Sequence, residues 1–252
     1  MTFPINIKFG SAEISSHLVF ELLAYTLGFR YFLKLRKNTV DAISSEHRVL
    51  ILIAAAIGAI LGSRVLGYFE TPAFFKGEFS FMVLYSSKTV LGGLLGGLIG
   101  VELCKKIIGV TVSSGDLLTY PLLLGMIIGR IGCFLAGLED GTHGIATTLP
   151  WGIDFGDGVY RHPTNLYEII FLALAWGFIF VMEKRFELTN GSKFKLFLFS
   201  YCLFRFLAEF IKPVQTFSFG FSAIQLAALL GVLYYYKLIL NPASLIAKRK
   251  YA

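Results

Sequence analysis

Charge is what this 252-residue chain has least of. Only 15% of its residues are Asp, Glu, Lys or Arg, against roughly a quarter in a soluble domain. A water-facing shell cannot be built from so few, so lipid must replace water around most of the surface. Cysteine is scarce as well: Cys104, Cys133 and Cys202 each lie in or beside an apolar run, and none belongs to a CxxC pair. Neither a disulfide framework nor a zinc site is expected, and each cysteine reads as a small buried hydrophobe. No metal ion and no cofactor is expected. No basic region precedes the first apolar run, which excludes a recognisable cleavable signal and leaves the first span in the mature protein. Internal repeats, low-complexity tracts and a second domain are also missing.

What the chain has is long apolar runs. Hydrophobic residues make up 56% of it, and its mean hydropathy is +0.70. Windows of membrane-spanning length fall at 14–34, 48–69, 89–110, 117–137, 164–182, 194–211 and 219–240. The expected fold is an all-α integral membrane protein of about seven transmembrane helices, forming a single domain over 1–252. The net charge of +7 does not point to nucleic acid, because the basic residues form short clusters between apolar runs. Lys34, Arg36, Lys37 and Arg48 flank the first loop, Lys105 and Lys106 the third, and Lys184, Arg185, Lys193 and Lys195 the fifth; Lys248, Arg249 and Lys250 mark the tail. The alternate loops are poorer in Lys and Arg. The positive-inside rule then places the N-terminus outside and the C-terminus in the cytoplasm. The longest loop, 138–163, falls outside, with Trp151 suited to anchoring at headgroup depth.

Ionisable groups inside spans are costly and mark candidate sites. Arg130, flanked by Gly129 and Gly132, offers a planar fork of donors that suits a phosphate, or else snorkels to the interface. Tyr201, Arg205 and Glu209 recur every four residues and share one helix face. They face a polar interior or form a structural ion-pair ladder. His17 and Glu21 have the same spacing in the first span, where the carboxylate would raise the imidazole's basicity or simply accept a hydrogen bond. Glu168 falls early in the fifth span, where the helix dipole favours it. Arg30 and Glu102 lie near cytoplasmic ends and read as structural.

Taken in order, GSRVLGY around Arg64, GGLIGVE after Leu95, Asp116 opening the fourth span, GRIGCF with Gly141 beyond it, HPTNLYE, and the Tyr201–Arg205–Glu209 stripe resemble the prolipoprotein diacylglyceryl transferase family. The resemblance runs from the second span to the sixth. It implies a multi-pass enzyme of the bacterial cytoplasmic (inner) membrane, moving diacylglycerol from phosphatidylglycerol to the cysteine thiol of a lipobox-containing preprotein, or to another acceptor. It implies that Arg130 and Arg205 clamp the lipid phosphate, that Tyr201 and Glu209 orient Arg205 and the headgroup, and that Gly141 lets the outer loop fold over the site. Substrate contacts are implied for Arg64, Asp116, Gly129, Cys133, Gly141, His143, His162, Asn165, Tyr167 and Glu168. The chain departs from the family pattern at three places. Cys133 replaces an asparagine, Leu95 replaces a histidine that is a candidate general base, and Ala136, Gly137 and Leu138 replace an Asn-Gly-Glu run. A replacement base or donor-orienting group is therefore sought among the four histidines. His47 belongs to the cytoplasmic side and His162 reads as loop-orienting. His17, backed by Glu21, comes first and His143 second.

The competing class is a non-catalytic phospholipid-binding or lipid-transfer protein on the same scaffold. A transporter would show repeated halves and interrupted helices, which this sequence does not. The expected orientation is tested in intact cells with an impermeant thiol reagent. A cysteine placed at Asn190 should stay unlabelled and one placed within 156–158 should be labelled; the opposite pattern would invert the topology.

Overall fold

The computed structural model describes residues 3–9 and 12–247. The basic tail residues Lys248, Arg249 and Lys250 lie outside the described residues. The fold is mostly helical. A short antiparallel pair, β1 (Ile7–Phe9) and β2 (Ala12–Ile14), precedes α1 (Ser16–Asn38) and α2 (Ser45–Tyr68). Two short helices follow, α3 (Pro72–Phe75) and α4 (Phe81–Ser86). The chain continues through α5 (Val90–Ile108), α6 (Asp116–Ala136) and a 3-10 turn at Gly137–Asp140. The small pair β3 (Ile153–Asp154) and β4 (Tyr160–Arg161) leads to α7 (Thr164–Arg185) and α8 (Ser192–Ala208). A 3-10 turn at Glu209–Ile211, α9 (Ala223–Tyr234), α10 (Tyr236–Leu240) and a last 3-10 turn at Pro242–Leu245 complete the chain.

Each of the seven apolar windows falls on a helix, but the helices differ in length and polarity. Among the described residues three are long and apolar enough to cross a membrane: Ser45–Tyr68, Asp116–Asp140 and Thr164–Arg185. The window at 89–110 becomes a helix carrying Glu102, Lys105 and Lys106. The window at 219–240 is not one continuous helix. It begins at Ala223, breaks at Tyr235 and resumes as α10. Ser222 and Gln225 fix its start through a capping box, each side chain bonding the other's backbone N–H.

The apolar surface faces outward. Only 6% of the α2 window is buried within the chain, and Ile53, Ile57, Ile60 and Leu61 are exposed along it. Leu18, Leu22, Tyr25 and Phe29 on α1 and Ile170, Leu174 and Phe178 on α7 are exposed likewise. Water penalises so much uncovered hydrocarbon, whereas lipid does not.

The helices alternate in direction, so the connections gather at two ends. At one end Arg48 Nη1 donates to the Ser114 carbonyl at 2.9 Å, and the Gly191 N–H donates to Asp116 at 2.7 Å. These bonds join the first, third and fifth connections. At the other end the Ile145 N–H donates to the Ile211 carbonyl at 2.9 Å, and the Ile224 N–H donates to Glu70 Oε1 at 2.7 Å. These bonds join the second, fourth and sixth.

The tightest packing is the α2–α5 seam. A Cβ built on Gly62 would lie 2.3 Å from the Gly92 carbonyl oxygen, and one on Gly96 would lie 2.3 Å from that of Gly58. Glycine is required here because the two backbones touch. Gly96→Ala should push the helices apart and cost about 1–3 kcal/mol. Gly177→Ala, where a Cβ meets nothing within 4 Å, should cost nothing. Comparing the temperatures at which the two variants lose monodispersity in detergent tests the seam.

Candidate active site

The ends of α6, α7 and α8 meet around one carboxylate. Glu168, in the second turn of α7, is buried with its side chain 3% exposed. Its Oε1 accepts from Arg130 Nε of α6 at 2.9 Å and from the Tyr201 hydroxyl of α8 at 2.7 Å. Its Oε2 accepts from Arg205 Nη1 at 3.2 Å. Arg205 Nη2 also donates to Glu209 Oε1, and Lys212 Nζ lies 3.9 Å from that same oxygen. Tyr201 and Arg205 thus share a face of α8, as their spacing predicts, and Glu209 continues it into the 3-10 turn.

Two features make this cluster more than a structural ladder. Three basic groups, Arg130, Arg205 and Lys212, stand against two carboxylates in contact with them, Glu168 and Glu209; a third, Glu70, lies within electrostatic reach of Arg205 and Glu209, and burial pushes its pKa up to about 7, so the site carries one surplus positive charge when Glu70 is protonated. Buried charge is costly unless matched, so a surplus of this sign fits an anion. In addition, Arg205 Nε and Glu209 Oε2 are buried without a hydrogen-bond partner among the described residues. A buried N–H left open beside surplus positive charge suits a phosphate oxygen.

A second group stands beside the first. Arg130 Nη1 lies 3.9 Å from Cys133 Sγ. His17, in the first turn of α1, places Nδ1 3.4 Å from Asp140 Oδ1 and Nε2 3.8 Å from Glu21 Oε2. Gly132 permits this approach, because a Cβ there would meet Phe20 Cβ at 2.7 Å and His17 Cα at 3.4 Å. The Thr142 hydroxyl donates to Asp140 and its oxygen stands 2.8 Å from Asn165 Oδ1, tying this group to the start of α7. Space next to Gly129 is open, with nothing within 4 Å of a Cβ there.

The 141–163 segment is held against the start of α7. His162 Nδ1 pairs with the Tyr167 hydroxyl at 3.2 Å, which also accepts from Trp151 Nε1 at 2.8 Å. Gly141 adopts the left-handed conformation at φ 65°, ending the 3-10 turn. Burial, and then the charge of Arg161, hold the His143 imidazole below its ordinary pKa; its Nδ1 has no hydrogen-bond partner among the described residues.

Of the expected contact residues, Asp116 lies elsewhere, and Arg64 stands toward Tyr25 and Glu21 of the second group, away from Glu168. Asp116 opens α6, about 20 Å along the helix from Arg130, and its carboxylate accepts from the Gly191 and Phe194 N–H groups. It caps the start of α8. Arg64 Nη1 donates to the Ser87 carbonyl at 3.1 Å and the guanidinium stacks over Tyr85; among the described residues no ion pair joins it to Glu168. His47 is in the first turn of α2, at the end remote from Arg130.

Lys212, Asp140 and Thr142 are the residues that the sequence reading missed. Lys212 falls in a loop, where nothing marks it except its position three residues after Glu209. Burial, with repulsion from Arg205, pushes its pKa down to about 8.

Glu168 is expected to be indispensable to folding. Glu168→Gln leaves two buried guanidiniums without their shared carboxylate and should cost about 3–5 kcal/mol. Tyr201→Phe removes one hydrogen bond and should cost about 0.5–1.5 kcal/mol. Yield of monodisperse protein and thermal stability in detergent measure both.

The family model described as prolipoprotein diacylglyceryl transferase matches residues 4–240. A phosphatidylglycerol–prolipoprotein diacylglyceryl transferase of Geobacter sulfurreducens is 35% identical over 202 residues, covering 75% of this chain and 76% of its own. A protein of the same name from Campylobacter lari is 29% identical over 234 residues, covering 88% of this chain and 84% of its own. A third, from Nitratidesulfovibrio vulgaris, is 36% identical over 169 residues, covering 62% and 60%. With a match that takes in nearly the whole chain, and Arg130, Glu168, Tyr201 and Arg205 meeting at one buried point within it, this protein belongs to the prolipoprotein diacylglyceryl transferase family of enzymes.

Proposed function

We propose that this protein transfers diacylglycerol from phosphatidylglycerol to a thiol, that of a lipobox cysteine in a lipoprotein precursor. The observation that carries the reading is the surplus positive charge of the buried Arg130–Glu168–Arg205–Glu209–Lys212 cluster. A phosphodiester brings one negative charge and would neutralise it. In the reaction the acceptor thiol gives up its proton and the sulfur forms a bond to the terminal glyceryl carbon of the donor. The C–O bond to phosphate breaks, and glycerol phosphate leaves with the bonding pair. Charge grows on the phosphate as that bond breaks, so fixed arginines would bind the transition state more strongly than the ground state. His17, backed by Glu21 and Asp140, is assigned to the acceptor side, with His143 in reserve. Gly141 and the 137–163 segment cover the donor, and Asn165 and Tyr167 hold that segment in place.

The reading includes an orientation. Seven crossings would put the N-terminus and the cluster at the outer face of the bacterial cytoplasmic membrane, where lipoprotein precursors emerge. The alternation of helix directions and the basic residues at the opposite end support it. The short α9 would need neighbouring helices or a locally thinner bilayer to complete its crossing.

Purified protein incubated with headgroup-labelled phosphatidylglycerol and a lipobox peptide should release labelled glycerol phosphate and yield a lipidated peptide. Arg205→Lys, which keeps the charge but loses the fork, should lose most turnover. His17→Ala should lose at least about tenfold, near 1.4 kcal/mol of barrier. Full activity in an Arg130→Ala, Arg205→Ala double variant would refute the clamp, and lipid binding without release would favour the non-catalytic reading. Lys212 adds a pH dependence. Its charge is present below about pH 8 and lost above it, so the KM for the anionic donor should rise as pH passes 8. Lys212→Arg should move that rise to higher pH.

A further inference from the structure

We propose that His17, Cys133 and Asp140 form a zinc site beside the phosphate clamp, with the metal's fourth position open to the acceptor thiol. His17 Nδ1, Cys133 Sγ and an Asp140 carboxylate oxygen all lie within 4.8 Å of one another. Tetrahedral zinc, with bonds of about 2.0–2.3 Å, sets its donors about 3.3–3.7 Å apart. The His17–Asp140 separation of 3.4 Å already has that spacing, and the Cys133 sulfur lies within 4.8 Å of both donors.

The imidazole is aimed as a ligand would be. Nδ1 is buried and has no hydrogen-bond partner among the described residues, although an Asp140 oxygen is 3.4 Å away. Two acceptor-bearing groups that close, yet misaligned for a hydrogen bond, face a common third point. The groups behind them complete the arrangement. Glu21 faces the other imidazole nitrogen at 3.8 Å, and Thr142 donates to Asp140 Oδ2, leaving Oδ1 turned toward His17. A carboxylate behind a ligating histidine and a donor on a ligating carboxylate are the usual supports of a metal centre.

Charge and softness favour zinc. An imidazole, a thiolate and a carboxylate carry two negative charges, which a divalent ion cancels. A sulfur and a nitrogen donor select zinc over magnesium or calcium. The Arg130 guanidinium, 3.9 Å from Sγ, is already paired with Glu168. Three protein ligands leave zinc one open position, as in catalytic rather than structural centres.

The chemistry deepens the proposed transfer and rests on its thiol acceptor. A thiol entering the fourth position binds as thiolate and releases its proton to water. Its sulfur pair then forms the C–S bond while the C–O pair departs with glycerol phosphate. Zinc keeps its oxidation state and its three protein ligands. The metal would thus do the work of a general base at a site where Leu95 cannot.

Untagged protein in detergent, equilibrated with Zn2+ and passed over a chelating resin, should retain one zinc per chain. Loaded with Co2+ instead, it should show the sulfur-to-cobalt charge-transfer band and the strong visible bands of four-coordinate cobalt. Cys133→Ser should abolish the charge-transfer band, and Asp140→Ala should weaken retention more than tenfold. A Cys104→Ser, Cys202→Ser double variant should keep both signals. Wild-type protein that retains no zinc, or a charge-transfer band that survives in Cys133→Ser, would overturn the site. Both readouts need neither lipid nor peptide. A zinc-loaded protein that releases no glycerol phosphate would therefore count against the transfer reading and leave the metal site standing.

Discussion

A carboxylate shared by two arginines is the constraint on which the rest of this structure depends. Glu168 is buried between Arg130 and Arg205 and bonded by Tyr201. None of these four groups is tolerable alone in hydrocarbon. Their mutual contacts therefore fix how the end of α6, the start of α7 and the end of α8 must meet. The apolar contacts of these helices are less particular. Leu123, Leu172 and Leu198 fill the interior below the cluster, and such contacts tolerate exchange among residues of similar volume. The charged knot supplies the specificity that hydrophobic packing lacks. It also leaves a surplus positive charge that gives an anionic lipid a reason to bind.

The helices were legible in the sequence because twenty apolar residues are a long-range signal that needs no knowledge of partners. The α8 stripe was legible for a similar reason: i, i+4 spacing is local, and Tyr201 and Arg205 do share a face. Glu168 was found by position but read as a dipole-favoured residue, since nothing within α7 discloses that two arginines from other helices converge on it. Lys212 and Asp140 were missed because their neighbours are distant in sequence. Asp116 was drawn into the site by its place in a recognisable order of motifs, while its physical work is to cap α8 at the opposite end. The seventh window was read as one span because hydropathy does not register the helix break at Tyr235.

The same distinction explains the cysteine at position 133. Metal sites are recognised in sequence when their ligands follow fixed local spacings. Here the three donors come from α1, the end of α6 and the turn beyond it, with 115 residues between the first and the second. No window of sequence contains them. Gly132 is what brings them together, by letting the backbone of α1 lie against α6.

The backbone bond between Ile145 and Ile211 has a further implication. It ties the 141–163 segment to Ile211, the last residue of the 3-10 turn that begins at Glu209 and the one just before Lys212. Any motion that lifts 137–163 to admit a polypeptide must pull on, or detach from, the stretch of chain that helps neutralise a lipid phosphate. Entry of one substrate and retention of the other are then linked through a shared free energy, and linkage of that kind is reciprocal. On the proposed reading, a lipid that steadied Lys212 and Arg205 would also hold the 141–163 segment in place, and a peptide that raised that segment would weaken the grip on the lipid. The two substrates would then not bind independently.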